Sequence, residues 1–96
     1  KGNAISNVYT FKIVNKTVHD YSDIHFGLLN QKGSIRMVGK DRIRVKGQGI
    51  SQGTLFIEIN QFLLENDKTK LEIDVYDGNK KIETSHTSFL SPRSFD

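Results

Sequence analysis

The chain has 96 residues, with 14 Lys or Arg against 11 Asp or Glu, a net charge of +3 that does not by itself point to nucleic acid. Hydrophobic residues make up 35% and charged residues 26% of an ordinary soluble-domain composition, and folding at this size hides roughly 60–65% of the extended surface, enough for a core without metal or crosslink. There is no cysteine, which excludes a disulfide framework, a thiolate metal site and a cysteine nucleophile and fits either redox compartment.

The opening "KGNAIS" starts with Lys and has no basic-then-apolar leader. Residues 1–6 are therefore expected to be a linker, and residues 1–96 a single domain excised from a larger protein. No apolar run approaches the ~18 residues that a membrane helix requires. Period-two alternation then recurs along the chain, the signature of half-buried strands. In "NVYTFKIVNKT", Tyr9, Phe11 and Ile13 share one face while Val8, Thr10, Lys12 and Val14 share the other, so both faces carry apolar side chains. "SDIHFGLLNQ" sets Ile24, Phe26 and Leu28 together, with His25 and Gly27 opposite; "GSIRMVG" pairs Ile35 with Met37. "RIRVK" turns Ile43 and Val45 inward and Arg42, Arg44 and Lys46 outward. "TLFIEIN" and "KLEIDVYDG" contribute Leu55, Ile57, Ile59, Leu71, Ile73 and Val75 to the inner faces, and a last strand runs from about Lys81 to Leu90.

Gly33, Gly39, the Gly47–Gly53 stretch and "YDGNKK" separate these runs with turn residues. In "NQFLLEND" the contiguous Phe62, Leu63 and Leu64 suit a turn of helix or an irregular crossover that caps one end. Seven short strands without a long helical pattern predict an all-β, immunoglobulin-like sandwich of antiparallel strands with no disulfide. Phe11, Ile13, Phe26, Leu28, Ile57, Ile59, Ile73 and Val75 are its expected core.

Sequence motifs for chemistry are absent. His19, His25 and His86 are far apart in sequence, unlike the tight local spacing of metal ligands, and Met37 reads as core or rim. Carboxylates occur singly on outward or loop positions, no serine stands in a nucleophile elbow, and the glycines of "GQGISQG" lack the helix and Lys-Ser/Thr of a phosphate loop. No catalytic, cofactor-binding or metal residue is assigned. The triplet Asn15-Lys16-Thr17 matches a glycosylation sequon. The candidate interaction surface is basic: Arg36, Lys40, Arg42, Arg44 and Lys46, offset by Asp41. Two readings of it stay open. Outward charges on an edge strand block unwanted sheet pairing, whereas a basic face meets anionic lipid head groups or an acidic partner. Few aromatics interleave with these charges, which argues against nucleic acid.

Both ends of the chain carry a resemblance. "ISNVYTFKIVNKT" resembles the start of the immunoglobulin-like C-terminal domain of FixG proteins (also called CcoG or RdxA): Asn7, Val8, Tyr9, Asn15 and Lys16 fill its pattern, with Ser6 where Arg is common. "TSFLSPRSFD" resembles the end of that domain, with Phe89 and Pro92 in place and Ser91 where Gly is usual. The resemblance implies a C-terminal fragment of a bacterial inner-membrane protein that binds 4Fe-4S clusters upstream, acts in assembly of cbb3-type cytochrome oxidase and is linked to copper reduction. It implies no cofactor in this domain, which is expected to be non-catalytic, soluble and periplasmic. Its expected partner is an oxidase-assembly protein or the upstream domains of its own chain. The competing class is an adhesion or carbohydrate-binding sandwich of a secreted protein, which an exposed aromatic platform would favour; Tyr21 and Tyr76 are the candidates for one.

Overall fold

Alternation of apolar and polar residues becomes strand in each of the seven segments. The computed structural model describes residues 3–39 and 43–91. They form β1 (Ala4–Val14), β2 (Tyr21–Leu28), β3 (Ser34–Met37), β4 (Ile43–Val45), β5 (Ile50–Asn60), β6 (Lys68–Asp77) and β7 (Lys80–Leu90). Two antiparallel sheets result, a three-stranded one ordered β1-β5-β3 and a four-stranded one ordered β4-β2-β6-β7. Ala4, Ile5 and Ser6, expected in a linker, lie in β1 and pair with Asn60, Ile59 and Glu58.

Register places the inward residues of the two sheets face to face. β1 and β5 pair without a shift from Ala4–Asn60 to Val14–Ile50, which aligns Ile5, Tyr9, Phe11 and Ile13 with the inward side of β5. Leu55, Ile57, Ile59, Leu64, Leu71, Ile73 and Phe89 form one buried cluster, and Ile13, Ile24, Ile43, Val45 and Val75 form a second. Of the expected core, Ile13, Ile57, Ile59, Ile73 and Val75 are buried, while Phe11, Phe26 and Leu28 are half-buried and pack against it. For the two phenylalanines the reason is position: they line a gap that opens between β1 and β7, the facing outer strands of the two sheets.

Local sequence explains the connections. Asp77 pairs with Lys80 across a two-residue hairpin, and Gly78 at its first central position has φ 60°, which a side chain would resist. After β5 the chain makes a 3-10 turn, Gln61–Leu63, in which the Asn60 side chain accepts the Phe62 N–H at 2.9 Å. This is the expected end cap. Only Leu64 of its apolar trio is buried; Phe62 and Leu63 face solvent.

Gly53 stands directly opposite Phe11. A β-carbon there would lie 2.6 Å from Phe11 Cζ, so the missing side chain is the space that the ring occupies. The ring then meets Phe26 at 5.2 Å between centroids, tilted by 58°. Gly53→Ala should therefore destabilise the fold by about 1–3 kcal/mol, the usual cost of overpacking. Combining it with Phe11→Leu should cost less than the sum of the two single changes, read by urea unfolding as a double-mutant cycle.

Candidate interaction surface

The described members of the basic cluster, Arg36, Arg44 and Lys46, are divided between the two sheets. Arg36 is exposed on β3 in the three-stranded sheet, whereas Arg44 is exposed on β4 in the four-stranded sheet, with Lys46 exposed just beyond it. Lys40 and Arg42 lie outside the described residues. β4 is a three-residue outer strand whose Ile43 and Val45 are buried and whose Arg44 points out. A short edge marked by outward charge is the geometry that discourages a further strand.

Arg36 has a different setting. Its guanidinium carbon lies 5.4 Å from the centroid of the Phe56 ring, a cation–π distance. Register places Arg36 and Val8 on either side of Phe56 across the outer face of the three-stranded sheet. Val8 is 61% exposed, and Val38, whose N–H bonds the Thr54 carbonyl beside this row, is 50% exposed. The result is an arginine set among apolar side chains on an open sheet face. Sequence reading counted Arg36 among the charges and did not place Phe56; the signal was available, since Phe56 has the outward parity between Leu55 and Ile57.

Among the described residues no three metal-ligating side chains converge. His25 stacks on Tyr76 at 5.4 Å with an interplanar angle of 13°, His86 Nε2 lies 3.9 Å from Glu72 Oε2, and His19 is exposed in the turn after β1. Tyr21 and Tyr76, the candidates for an exposed aromatic platform, are half-buried. Asp74 has the outward parity of β6 yet is 3% exposed. Gly27 beside it has no side chain, Tyr76 covers that space, and the Asp74 carboxylate accepts from Thr84 Oγ1 at 2.7 Å and Tyr76 Oη at 3.3 Å, with Lys81 Nζ at 3.9 Å. Its partners make it a brace between β6 and β7.

The residues shared by the two ends are structural joints. Asn7 bonds Leu90 in both directions: its Nδ2 donates to the carbonyl at 3.0 Å and its Oδ1 accepts the N–H at 2.8 Å. Tyr9 Oη donates to the Ser88 carbonyl at 2.8 Å, and burial raises the phenol's pKa above 10.0. Asn15 is fully buried; its Nδ2 donates to the His19 and Val45 carbonyls, and its Oδ1 accepts from Thr17 N–H and Thr17 Oγ1. The sequon asparagine is thus closed to a glycan in the folded state. Ser91 is buried, donating through its N–H to the Asp67 carbonyl at 2.8 Å and through its Oγ to the Asn66 carbonyl at 2.9 Å.

With this geometry in view, the family described as "IG-like fold at C-terminal of FixG, putative oxidoreductase" matches residues 1–92. The chain belongs to this family. Its sandwich is accordingly immunoglobulin-like, as expected. The fold is similar to that of a FixG-related protein from Vibrio parahaemolyticus, with a TM-score of 0.66 and 20% identity over 93% of this chain and 81% of that one. No curated protein matches the chain. Among the described residues no helix is long and apolar enough to cross a membrane.

Two outcomes follow from the joints. Asn15→Ala should destabilise by roughly 2–3 kcal/mol in urea unfolding, because it strands buried carbonyls that cost on the order of 1–3 kcal/mol each. Tyr9→Phe should cost no more than about 1 kcal/mol at neutral pH, the half-exposed bond being worth the low end of the usual range. A raised folded pKa means that the phenol's contribution is complete below pH 10.0 and declines as pH climbs toward the folded value. Unfolding measured from pH 8 upward should show that decline in the parent sequence and less of it in Tyr9→Phe.

Proposed function

We propose that this FixG C-terminal domain is a non-catalytic docking module, and that it binds through the outer face of its three-stranded sheet. The observation that carries the reading is the Arg36–Phe56 stack with Val8 and Val38 exposed around it. Arginine and aromatic side chains are the groups that most often dominate interface energy when a partner covers them. Function is carried by sites placed on a scaffold rather than by the fold itself, and this face is the site the reading rests on. The FixG family supports a parent that carries redox chemistry in upstream 4Fe-4S clusters, serves cbb3-type oxidase assembly and copper reduction, and holds this domain on the periplasmic side of a bacterial inner membrane. The partner is then an assembly protein or the parent's own upstream part. Arg44 and Lys46 add attraction toward an acidic partner surface or anionic head groups, an effect that weakens as salt rises.

The test uses the full-length parent. Arg36→Ala with Phe56→Ser should lower the amount of assembled oxidase as far as deletion of the whole domain does. Arg44→Gln with Lys46→Gln should leave assembly near normal at physiological salt, since exposed substitutions stay within about 0.5 kcal/mol in stability. Normal assembly after deletion of the domain overturns the reading.

A further inference from the structure

The two lateral sides of the sandwich are finished differently. On one side the outer strands β3 and β4 have four and three residues and carry Arg36 and Arg44. On the other, β1 runs for 11 residues with no shift in register, and Lys12 is its only charged residue. The Gln61 N–H bonds the Asn3 carbonyl at 2.7 Å and the Asn15 N–H bonds the Gly49 carbonyl at 2.9 Å, at the two ends of the β1–β5 ladder. Both β1-side residues are odd-numbered, and an antiparallel ladder alternates. The even-numbered residues Ala4, Ser6, Val8, Thr10, Lys12 and Val14 therefore direct their backbone N–H and C=O groups away from β5. No strand among the described residues meets them. A long, flat, nearly uncharged edge is a template for another strand.

The neighbouring edge selects where that strand goes. At one end of β7 the Ser88 carbonyl and both Leu90 backbone groups are already bonded by Tyr9 and Asn7, and the rest of that strand carries Lys80, Lys81 and Glu83, so β1 is the better template for a further strand. Between the two strands lies a groove of about 270 Å³ with Phe11, Phe26 and Val75 in its lining. A strand on β1 would direct every second side chain over this groove. In an immunoglobulin sandwich of the four-plus-three kind, the four-stranded sheet is ordered A-B-E-D, with the first strand outside the second. Here the sheet containing β1 and β5 has three strands and nothing outside β1.

The sequence before β1 indicates the occupant. Asp77-Gly78-Asn79-Lys80 closes the β6–β7 hairpin with Gly-Asn as its two-residue loop. Lys1-Gly2-Asn3-Ala4 places the same dipeptide ahead of β1, and Gly-Asn between strands is a hairpin signal. The Ala4 N–H points to the open edge, where a strand preceding β1 would meet it. The family places this fold at the C-terminal end of a longer protein. We propose that the polypeptide immediately preceding Lys1 in the parent folds back as an antiparallel strand on β1, completing the sheet and covering the groove. This inference is independent of the docking face proposed above.

Hydrogen exchange read at single residues in the full-length parent tests it. The Ser6, Val8, Thr10 and Lys12 amides should exchange about a hundredfold or more slowly than unstructured amides, together with alternate amides of the preceding segment. Thr10→Pro removes an N–H that β5 does not use, so Asn7, Tyr9 and Phe11 should stay protected while the preceding segment becomes fast. Fast exchange at the even positions of the unaltered parent overturns the proposal. So does protection that disappears on dilution, which would assign the edge to a second copy, and so does a preceding segment indifferent to Thr10→Pro. Should Thr10→Pro prevent folding, the pattern of the unaltered parent decides alone.

Discussion

With no cysteine to staple it, the sandwich depends on hydrogen bonds that leave β1 and cross between the sheets. At one end Asn7 and Tyr9 reach the backbone of β7, and just past the other end Asn15 reaches the carbonyl of Val45 in β4. The strand at the margin of one sheet is thereby bonded to both outer strands of the other. Apolar burial gives the sheets a reason to stack but is non-directional. Side-chain amides and a phenol aimed at particular carbonyls fix how they stack, and a shift of one sheet would leave the fully buried Asn15 amide and the Val45 carbonyl unmet.

Those bonds give Asn7, Tyr9 and Asn15 a demand on side-chain chemistry that the aliphatic positions of the inner faces do not make. An aliphatic position on an inner face accepts several residues of similar volume. Asn15 does not: two donors and an acceptor must sit inside a fully buried side chain, and only an amide of that length satisfies the His19, Val45 and Thr17 groups together. The amide at this site is fixed by packing geometry.

Strand number, the end cap and most of the core were legible because period two reports burial directly, as in Leu71, Ile73 and Val75. Two kinds of information were not. Alternation tells which face a residue takes but not how open that face is, so Phe11 and Phe26, read as core, pack against it only half-buried where they border the gap beside β7. Outward parity also misled at Asp74, which is buried because Gly27 leaves room and Tyr76 folds over it, a consequence of pairing between strands some fifty residues apart in sequence. The division of the basic cluster was hidden for a related reason. Its residues are close in the chain, yet the connection between β3 and β4 passes from one sheet to the other, separating Arg36 from Arg44.

The burial of Asn15 also bears on how the chain can be made. Its sequon is readable by an oligosaccharide-transferring enzyme only while the β1 turn is still unformed, so modification and folding would compete for the same amide nitrogen. A sugar attached first would displace the donors to His19 and Val45 and hold the end of β1 away from β4. Passage through a eukaryotic secretory route would then divide the product into a bare, folded pool and a sugar-bearing pool unable to close the sandwich.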